Sequence, residues 1–229
     1  MKTLKKALSV FLVIIMVSAF APAAFAAPLP GFYYIWIGDV QVSEFNKNDV
    51  LGDGGSVKFN PETWTLTLTD AEIKADGLRN AGITIGNTFD TASPVEKINI
   101  EIVGDSYVYG SKSSKTSNIC SAIYCYCCKE VNFCGDGTLT LTGYENEKYT
   151  AAGIYGNTTT KVNVESGKVT VIGKNFKYYK FTDDCKVREK DDRFVVTHIT
   201  PLEAFFRDFF SAISRFFVGI GNFFKNLSN

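Results

Sequence analysis

The sequence has little of what most enzymes and nucleic-acid-binding proteins require. It has one histidine, His198, and no G-x-S-x-G, HExxH, phosphate-binding loop or calcium-binding nonapeptide repeat. Its 24 basic residues equal its 24 acidic residues, so no excess of positive charge is present to attract nucleic acid. We therefore expect a protein that is not an enzyme, that holds no cofactor or metal, and that does not bind nucleic acid.

The first 26 residues have the pattern of a secretory signal peptide. Three lysines near the start precede an apolar segment, Leu8–Phe20, that is too short to span a membrane, and Ala24-Phe25-Ala26 resembles a cleavage site. Residues 1–26 are therefore expected to be removed. This predicts a secreted, extracellular protein, either free or associated with the cell surface, whose mature chain has 21 basic and 24 acidic residues.

Six cysteines lie in the mature chain, which is an even number for an exported protein. Their spacing, C-x4-C-x-C-C-x5-C followed by a distant sixth, matches no zinc-binding pattern, so no metal site is predicted. An exported chain allows disulfides, but buried free thiols fit the clustering as well, and the spacing does not choose between them. The residues concerned are Cys120, Cys125, Cys127, Cys128, Cys134 and Cys185.

A repeated unit occupies the middle of the chain. Each copy has a small-small-Ile start, a strand beginning x-Asn-x, a glycine turn and a second strand. The three copies begin at Ala81, Ser121 and Ala152, and Asn60–Thr69 resembles the second strand of an earlier one. Leu139 and Leu141 illustrate the period-two alternation that gives each strand one apolar face. Short units of this kind bury their apolar faces by stacking on one another.

These features predict an all-β fold, a short right-handed parallel β-solenoid followed by an amphipathic helix, with a β-sandwich as the alternative. The expected divisions are a signal peptide at 1–26, the solenoid at 27–173, a charged β-hairpin, cap or linker at 174–200, and a helix at 201–229. The turn of the hairpin is expected at Glu189–Asp192.

The helix is predicted from eight of the nineteen phenylalanines, which recur with helical period after Leu202. Twelve apolar side chains fall within an arc of roughly 140°. The stripe must be buried against a membrane interface, the solenoid or another chain. The membrane- or partner-binding candidates are Phe205, Phe206, Phe209, Phe210, Ile213, Phe216, Phe217, Ile220, Phe223 and Phe224.

The order of three segments followed by the repeats resembles a known family. These segments are Ile35–Val42, Asp49–Gly54 and Thr65–Leu68. They are similar to those of secreted right-handed parallel β-helix-like proteins of gut Firmicutes, often labelled carbohydrate-binding domain-containing, and a Phe-rich C-terminal tail also occurs in secreted proteins of these bacteria. The resemblance spans Trp36 to Gly173 and implies an extracellular protein with a glycan-related role.

The binding candidates lie on the outward face of the repeats. If Val108 points inward, Tyr107 and Tyr109 point outward, next to threonines of the following copies, and could stack on a sugar. The glycan-binding candidates are Tyr107, Tyr109, Thr140, Thr142 and Thr170. Glu101 and Glu165 are separated by Cys134 at the equivalent position, so no neighbouring pair of acids is predicted. The expected partners are extracellular glycans, with a membrane interface or a second copy as partners of the helix. The alternative function is that of a structural or adhesion protein that associates with a membrane or partners through this helix, and a polysaccharide-acting enzyme comes third.

Overall fold

The computed structural model describes residues 31–75, 81–86, 95–111, 119–144, 150–156, 160–172, 179–190 and 193–227. The predicted signal peptide lies outside them. In chain order the described strands are β1 (Phe32–Ile37), β2 (Val40–Ser43), β3 (Val57–Asn60), β4 (Thr65–Thr69), β5 (Glu72–Lys74), β6 (Ala81–Ile85), β7 (Val95–Val103), β8 (Asp105–Tyr109), β9 (Ile119–Cys125), β10 (Cys128–Gly135), β11 (Thr138–Thr142), β12 (Thr150–Gly156), β13 (Thr160–Val164), β14 (Lys168–Ile172), β15 (Tyr179–Phe181), β16 (Cys185–Lys190) and β17 (Arg193–His198). A helix, α1 (Pro201–Leu227), follows them.

The described strands form three sheets. Sheet A has the order β12-β9-β6-β1-β2, sheet B the order β15-β13-β10-β7-β4-β3, and sheet C the order β16-β17-β14-β11-β8-β5. Three times in succession the chain passes through sheets A, B and C, in β6–β7–β8, β9–β10–β11 and β12–β13–β14. The predicted all-β fold with a C-terminal helix is therefore confirmed. The third sheet and the parallel pairing differ from the two antiparallel sheets of a β-sandwich.

The pairing registers agree with the three sequence repeats. Asn132 pairs with Asn99 on one side and with Asn163 on the other, so equivalent residues of successive copies lie side by side. The apolar residues align in the same way, and Phe133 lies between Ile100 and Val164. All three of these apolar side chains are fully buried. Each gains roughly 1.5–3 kcal/mol from burial, which explains why the alternating pattern selects this register.

Glycine is required where the chain turns from sheet A toward sheet B. Gly86 has a φ of +97°, and a Cβ atom added there would lie 1.6 Å from the backbone oxygen of Tyr126. The Gly86 amide also donates a hydrogen bond of 2.7 Å to the Tyr34 carbonyl. No side chain fits this close approach of successive turns, so the residue is fixed by sterics as well as by its φ.

The segment predicted as a hairpin or linker at 174–200 divides between two sheets. β15 pairs in parallel with β13, so sheet B continues beyond residue 173, where the solenoid was expected to end. β16 and β17 form an antiparallel pair, and β17 joins β14 in sheet C. Glu189 lies within β16, while residues 191 and 192 of the predicted turn fall outside the described residues.

The start of α1 has a capping box that fixes it after β17. The Glu203 amide donates to Thr200 Oγ1 at 3.3 Å, and the Thr200 amide donates to Glu203 Oε2 at 3.2 Å. Pro201 occupies the first helical position, where its missing N–H leaves nothing unpaired. Lys186 of β16 forms an ion pair with Glu203, and this pair ties the helix start to sheet C.

The apolar stripe of α1 is uncovered along its described part. Phe205 is 62% exposed and Phe216 is 65% exposed, and the neighbouring phenylalanines are exposed as well. Ile213 is half-buried, and the side chains of Ile220, Phe223 and Phe224 lie outside the described residues. The described part of the stripe therefore does not pack against the sheets. Among the described residues, no helix combines the length and apolar character needed to cross a membrane.

Candidate functional site

The outward faces of the three sheets are the candidate binding surfaces, because alternate side chains of each strand point away from the core. Sheet C holds the residues predicted from the sequence. Tyr107 is 43% exposed and Tyr109 is half-buried, whereas Val108 between them is fully buried. The Lys74 ammonium lies 5.4 Å from the centroid of the Tyr109 ring, which is within the range of a cation–π contact.

The register brings all five predicted glycan-binding residues together on this face. Tyr107 lies beside Thr140, which in turn lies beside Thr170 on the next strand. Tyr109 lies beside Thr142 in the adjacent row. The strands are about 4.8 Å apart, so an aromatic ring and two hydroxyl groups succeed one another within about 10 Å. Such a row can stack on a sugar ring and hydrogen-bond its hydroxyl groups.

An aromatic row that the sequence reasoning missed lies on sheet A. Trp36 pairs with Thr84, which is followed in register by Tyr124 and then Tyr155. The Tyr124 and Tyr155 rings are 5.3 Å apart, and Tyr126 packs edge-on against Tyr124 at 6.0 Å. Burial and, to a lesser extent, these neighbours raise the pKa of Tyr124 to about 12. The rings are half-buried against one another, so less of each is available for stacking than at Tyr107.

A polar cleft that the sequence reasoning also missed lies on sheet B. It has a volume of about 530 Å³ and crosses β4, β7 and β10 to the end of β13. The lining side chains are hydroxyl, amide, carboxylate and ammonium groups and one thiol. They include Thr65, Thr67, Lys97, Asn99, Glu101, Asn132, Cys134 and Glu165. The cleft therefore offers many hydrogen-bonding groups and few apolar ones.

A ladder of asparagine side chains crosses sheet B, and two of its members, Asn99 and Asn132, form the floor of the cleft. Asn163 Nδ2 donates to Asn132 Oδ1 at 3.0 Å, and Asn132 Nδ2 donates to Asn99 Oδ1 at 3.1 Å. Asn99 Nδ2 donates to the Thr63 carbonyl at 3.2 Å, and Thr182 Oγ1 donates to Asn163 Oδ1 at 2.8 Å. The amides are thereby held in one orientation. The repeated x-Asn-x motif was the sequence signal for this ladder.

Charged groups form the two sides of the cleft. Lys97 Nζ lies 3.3 Å from Glu130 Oε1 and 3.9 Å from Glu165 Oε1, so its side chain reaches across two neighbouring strands. On the other side, Thr67 Oγ1 donates to Glu101 Oε2 at 2.9 Å. Cys134 lies between the carboxylates of Glu101 and Glu165. Partial burial and then these two charges raise the pKa of its thiol above the usual range.

All six cysteines are free thiols in this structure. Cys120 and Cys125 are the two ends of an extended run in β9, about 16 Å apart, and Cys128 and Cys134 are about 20 Å apart in β10. Both separations are too long for a disulfide. Burial raises the pKa of Cys128 to about 12. Within the described ranges, no group of three potential ligands is placed to hold a metal ion.

The one histidine has a structural contact. His198 ends β17 on the protein surface, and its Nδ1 lies 3.1 Å from the Val164 carbonyl oxygen. This contact joins the end of β17 in sheet C to the end of β13 in sheet B.

Searches of the chain against protein-family models, curated proteins and solved structures returned no significant match. The resemblance to secreted β-helix-like proteins therefore stays a prediction.

Proposed function

We propose that this protein is a secreted, noncatalytic, right-handed parallel β-solenoid that binds extracellular glycans. The solenoid is supported by the cyclic order of the chain through sheets A, B and C and by the parallel, in-register pairing of three successive turns. Secretion is supported by the signal-like pattern of residues 1–26. A stack of this kind has flat outer faces on which a repeating ligand meets repeating side chains.

Glycan binding is inferred mainly from the exposed Tyr107 ring, which lies at one end of a row of hydroxyl groups on sheet C. A sugar stacks its apolar face on an aromatic ring, while its hydroxyl groups need donors and acceptors nearby. Thr140 and Thr170 supply these on the next two strands. Lys74, beside the Tyr109 ring, adds a cation at the edge of the same face.

A glycan array tests this proposal with the mature chain and its Tyr107→Ala/Tyr109→Ala variant. We expect the double variant to lose binding that the parent shows. Phe45→Ala is the matched control, because Phe45 is an aromatic residue that is 91% exposed outside sheet C. Binding that survives in the double variant would remove the tyrosines from the site. Release of reducing ends from any bound polysaccharide would show that the protein is an enzyme.

A second function is favoured by the uncovered stripe of α1, and here we propose association with a lipid interface. The exposed side chains include Phe205, Phe209 and Phe216, and they leave one side of an amphipathic helix without a partner among the described residues. The polar side has both cations and anions, such as Arg207 and Asp208, which form an ion pair at 3.0 Å. Binding is therefore expected to depend on apolar burial more than on anionic lipid.

Co-sedimentation with phosphatidylcholine vesicles tests the role of the helix in the full-length mature chain. We expect the parent to pellet and a variant with Phe205, Phe209 and Phe216 changed to serine to stay in solution. Adding anionic lipid should change pelleting little. If parent and variant pellet equally, the stripe does not bind lipid. Dimers in the absence of vesicles, seen by analytical ultracentrifugation and lost in the variant, would assign the stripe to self-association instead.

A further inference from the structure

The floor of the cleft on sheet B consists of hydrogen-bonding amide groups, which suit a ligand with many hydroxyl groups. Asn132 is only 2% exposed, and its amide gives one N–H to Asn99 and accepts one from Asn163. A primary amide has two N–H groups and two lone pairs, so Asn99 and Asn132 each keep one donor and one acceptor for a ligand. A sugar hydroxyl both donates and accepts, and one such amide satisfies both requirements.

The floor is also prepared for binding, because its amides are already held by one another. A free asparagine side chain loses rotamer freedom when it binds, whereas the ladder has fixed Asn99, Asn132 and Asn163 before any ligand arrives. Lys97 reaches over this floor toward Glu165 at 3.9 Å, and both side chains are about half exposed. Ion pairs of this kind are weak in water, so a ligand displaces the lysine at little cost.

The charges of this face exclude a strongly charged ligand. Inside the cleft Lys97 opposes Glu101 and Glu165. Beside it, Glu130 lies in register with Lys97 and Lys161, and Lys161 lies in register with Lys180. Lys58 of β3 is also exposed on this face, in register with Thr67, so this part of sheet B presents four lysines and three glutamates. A polyanion would meet the carboxylates and a polycation would meet the ammonium groups, whereas a neutral ligand meets no net repulsion.

The shape of the cleft favours an elongated ligand. From β4 to β13 it crosses three strand spacings, which is about 14 Å. Its hydrogen-bonding groups recur from strand to strand, first a hydroxyl group at Thr65, then an amide at Asn99 and at Asn132, and last the Glu165 carboxylate after β13. A ligand with a repeating unit would meet an equivalent group at each step along the stack.

We propose that the sheet B cleft is a second carbohydrate site, which binds an uncharged polysaccharide lying along the asparagine ladder. The ladder amides bind its hydroxyl groups from below, and Glu101 and Glu165 accept hydrogen bonds from its sides. The site shares its class of ligand with the proposed function but none of its residues. Either site can therefore be disproved without affecting the proposal for the other.

Cys134 reports on occupancy, because its thiol lines the cleft and is accessible. The test uses the full-length mature chain with Cys185→Ser, which removes the other thiol that is not buried. Iodoacetamide alkylates Cys134 in the presence of mixed-linkage β-glucan, glucomannan, soluble starch or polygalacturonate. The rate of alkylation is measured by mass spectrometry. A neutral polysaccharide at about ten times its Kd is expected to slow alkylation about tenfold, while polygalacturonate has no effect.

Two sets of variants make the outcome decisive. Asn132→Ala should abolish protection of Cys134. If this variant does not fold, the surface change Glu165→Ala takes its place and should weaken the protection. Tyr107→Ala/Tyr109→Ala should leave protection unchanged. The proposal is overturned if no neutral polysaccharide protects Cys134, or if protection persists in both cleft variants. Array binding that depends on the tyrosines without protection of Cys134 would keep the proposed function and reject this second site.

Discussion

Replacing Phe133 with alanine tests whether successive turns share one continuous core. Phe133 is fully buried in β10 and lies in register between Ile100 and Val164 on the neighbouring strands. Its removal leaves a cavity that strands on both sides cannot fill without breaking register. Buried Phe→Ala changes cost about 3–5 kcal/mol. At about 2–4 °C per kcal/mol for a chain of this size, Tm should fall by about 6–20 °C.

Equilibrium unfolding in urea, followed by circular dichroism and by intrinsic fluorescence, measures this loss. The two probes must give coincident transitions for the free energy of unfolding to be defined. Phe45→Ala is the matched control, since the same side chain is 91% exposed there and its loss should change the free energy by no more than about 0.5 kcal/mol. The reasoning is refuted if Phe133→Ala costs less than about 1 kcal/mol, or if both variants lose equal stability.

Three further outcomes are expected. Gly86→Ala should lower the free energy of unfolding, measured by urea titration, by about 2–5 kcal/mol. About 1–2 kcal/mol of this comes from left-handed backbone strain and about 1–3 kcal/mol from overpacking. Gly52→Ala has open space around its Cβ atom and should show the loss from strain alone. Glu101→Gln should speed alkylation of Cys134 at pH 8, because removing the charge lowers the thiol pKa; an unchanged rate would contradict this. Lys186 holds the pKa of Glu203 at about 2, so its carboxylate should protect the first turn of α1 from hydrogen exchange above pH 4.5 and lose this effect toward pH 2. Glu203→Ala has no side-chain oxygen to accept from the Thr200 amide, so it should lose this protection at neutral pH.

The repeats made much of the β architecture predictable, because one alternating pattern recurs with equivalent residues. Ile98, Val131 and Val162 lie in register as the repeats imply. The helix was predictable from the spacing of its phenylalanines. The pairing of β15 with sheet B was not predictable, because its three residues are too few for a periodic signal.

The candidate surfaces were only partly predictable. The alternation about Val108 was enough to assign Tyr107 to the outside, since strand geometry alone determines which way it points. The cleft was not predictable in this way, because it depends on how the amides of Asn99 and Asn132 are oriented and on which side chains reach across strands. Lys97, for example, contacts Glu165 from a position 68 residues earlier in the chain.

The spacing of the asparagine ladder has a consequence for how such a protein could change over evolution. Asn132 lies 33 residues after Asn99 and 31 before Asn163, and each is held by its neighbour through the same amide contact. Duplication of one such segment would therefore insert a repeat whose strands match those of the repeats already present. The surface would lengthen by about 4.8 Å without redesign of either end. The number of ligand units that one molecule can hold would then be set by gene length, independently of the chemistry at each step.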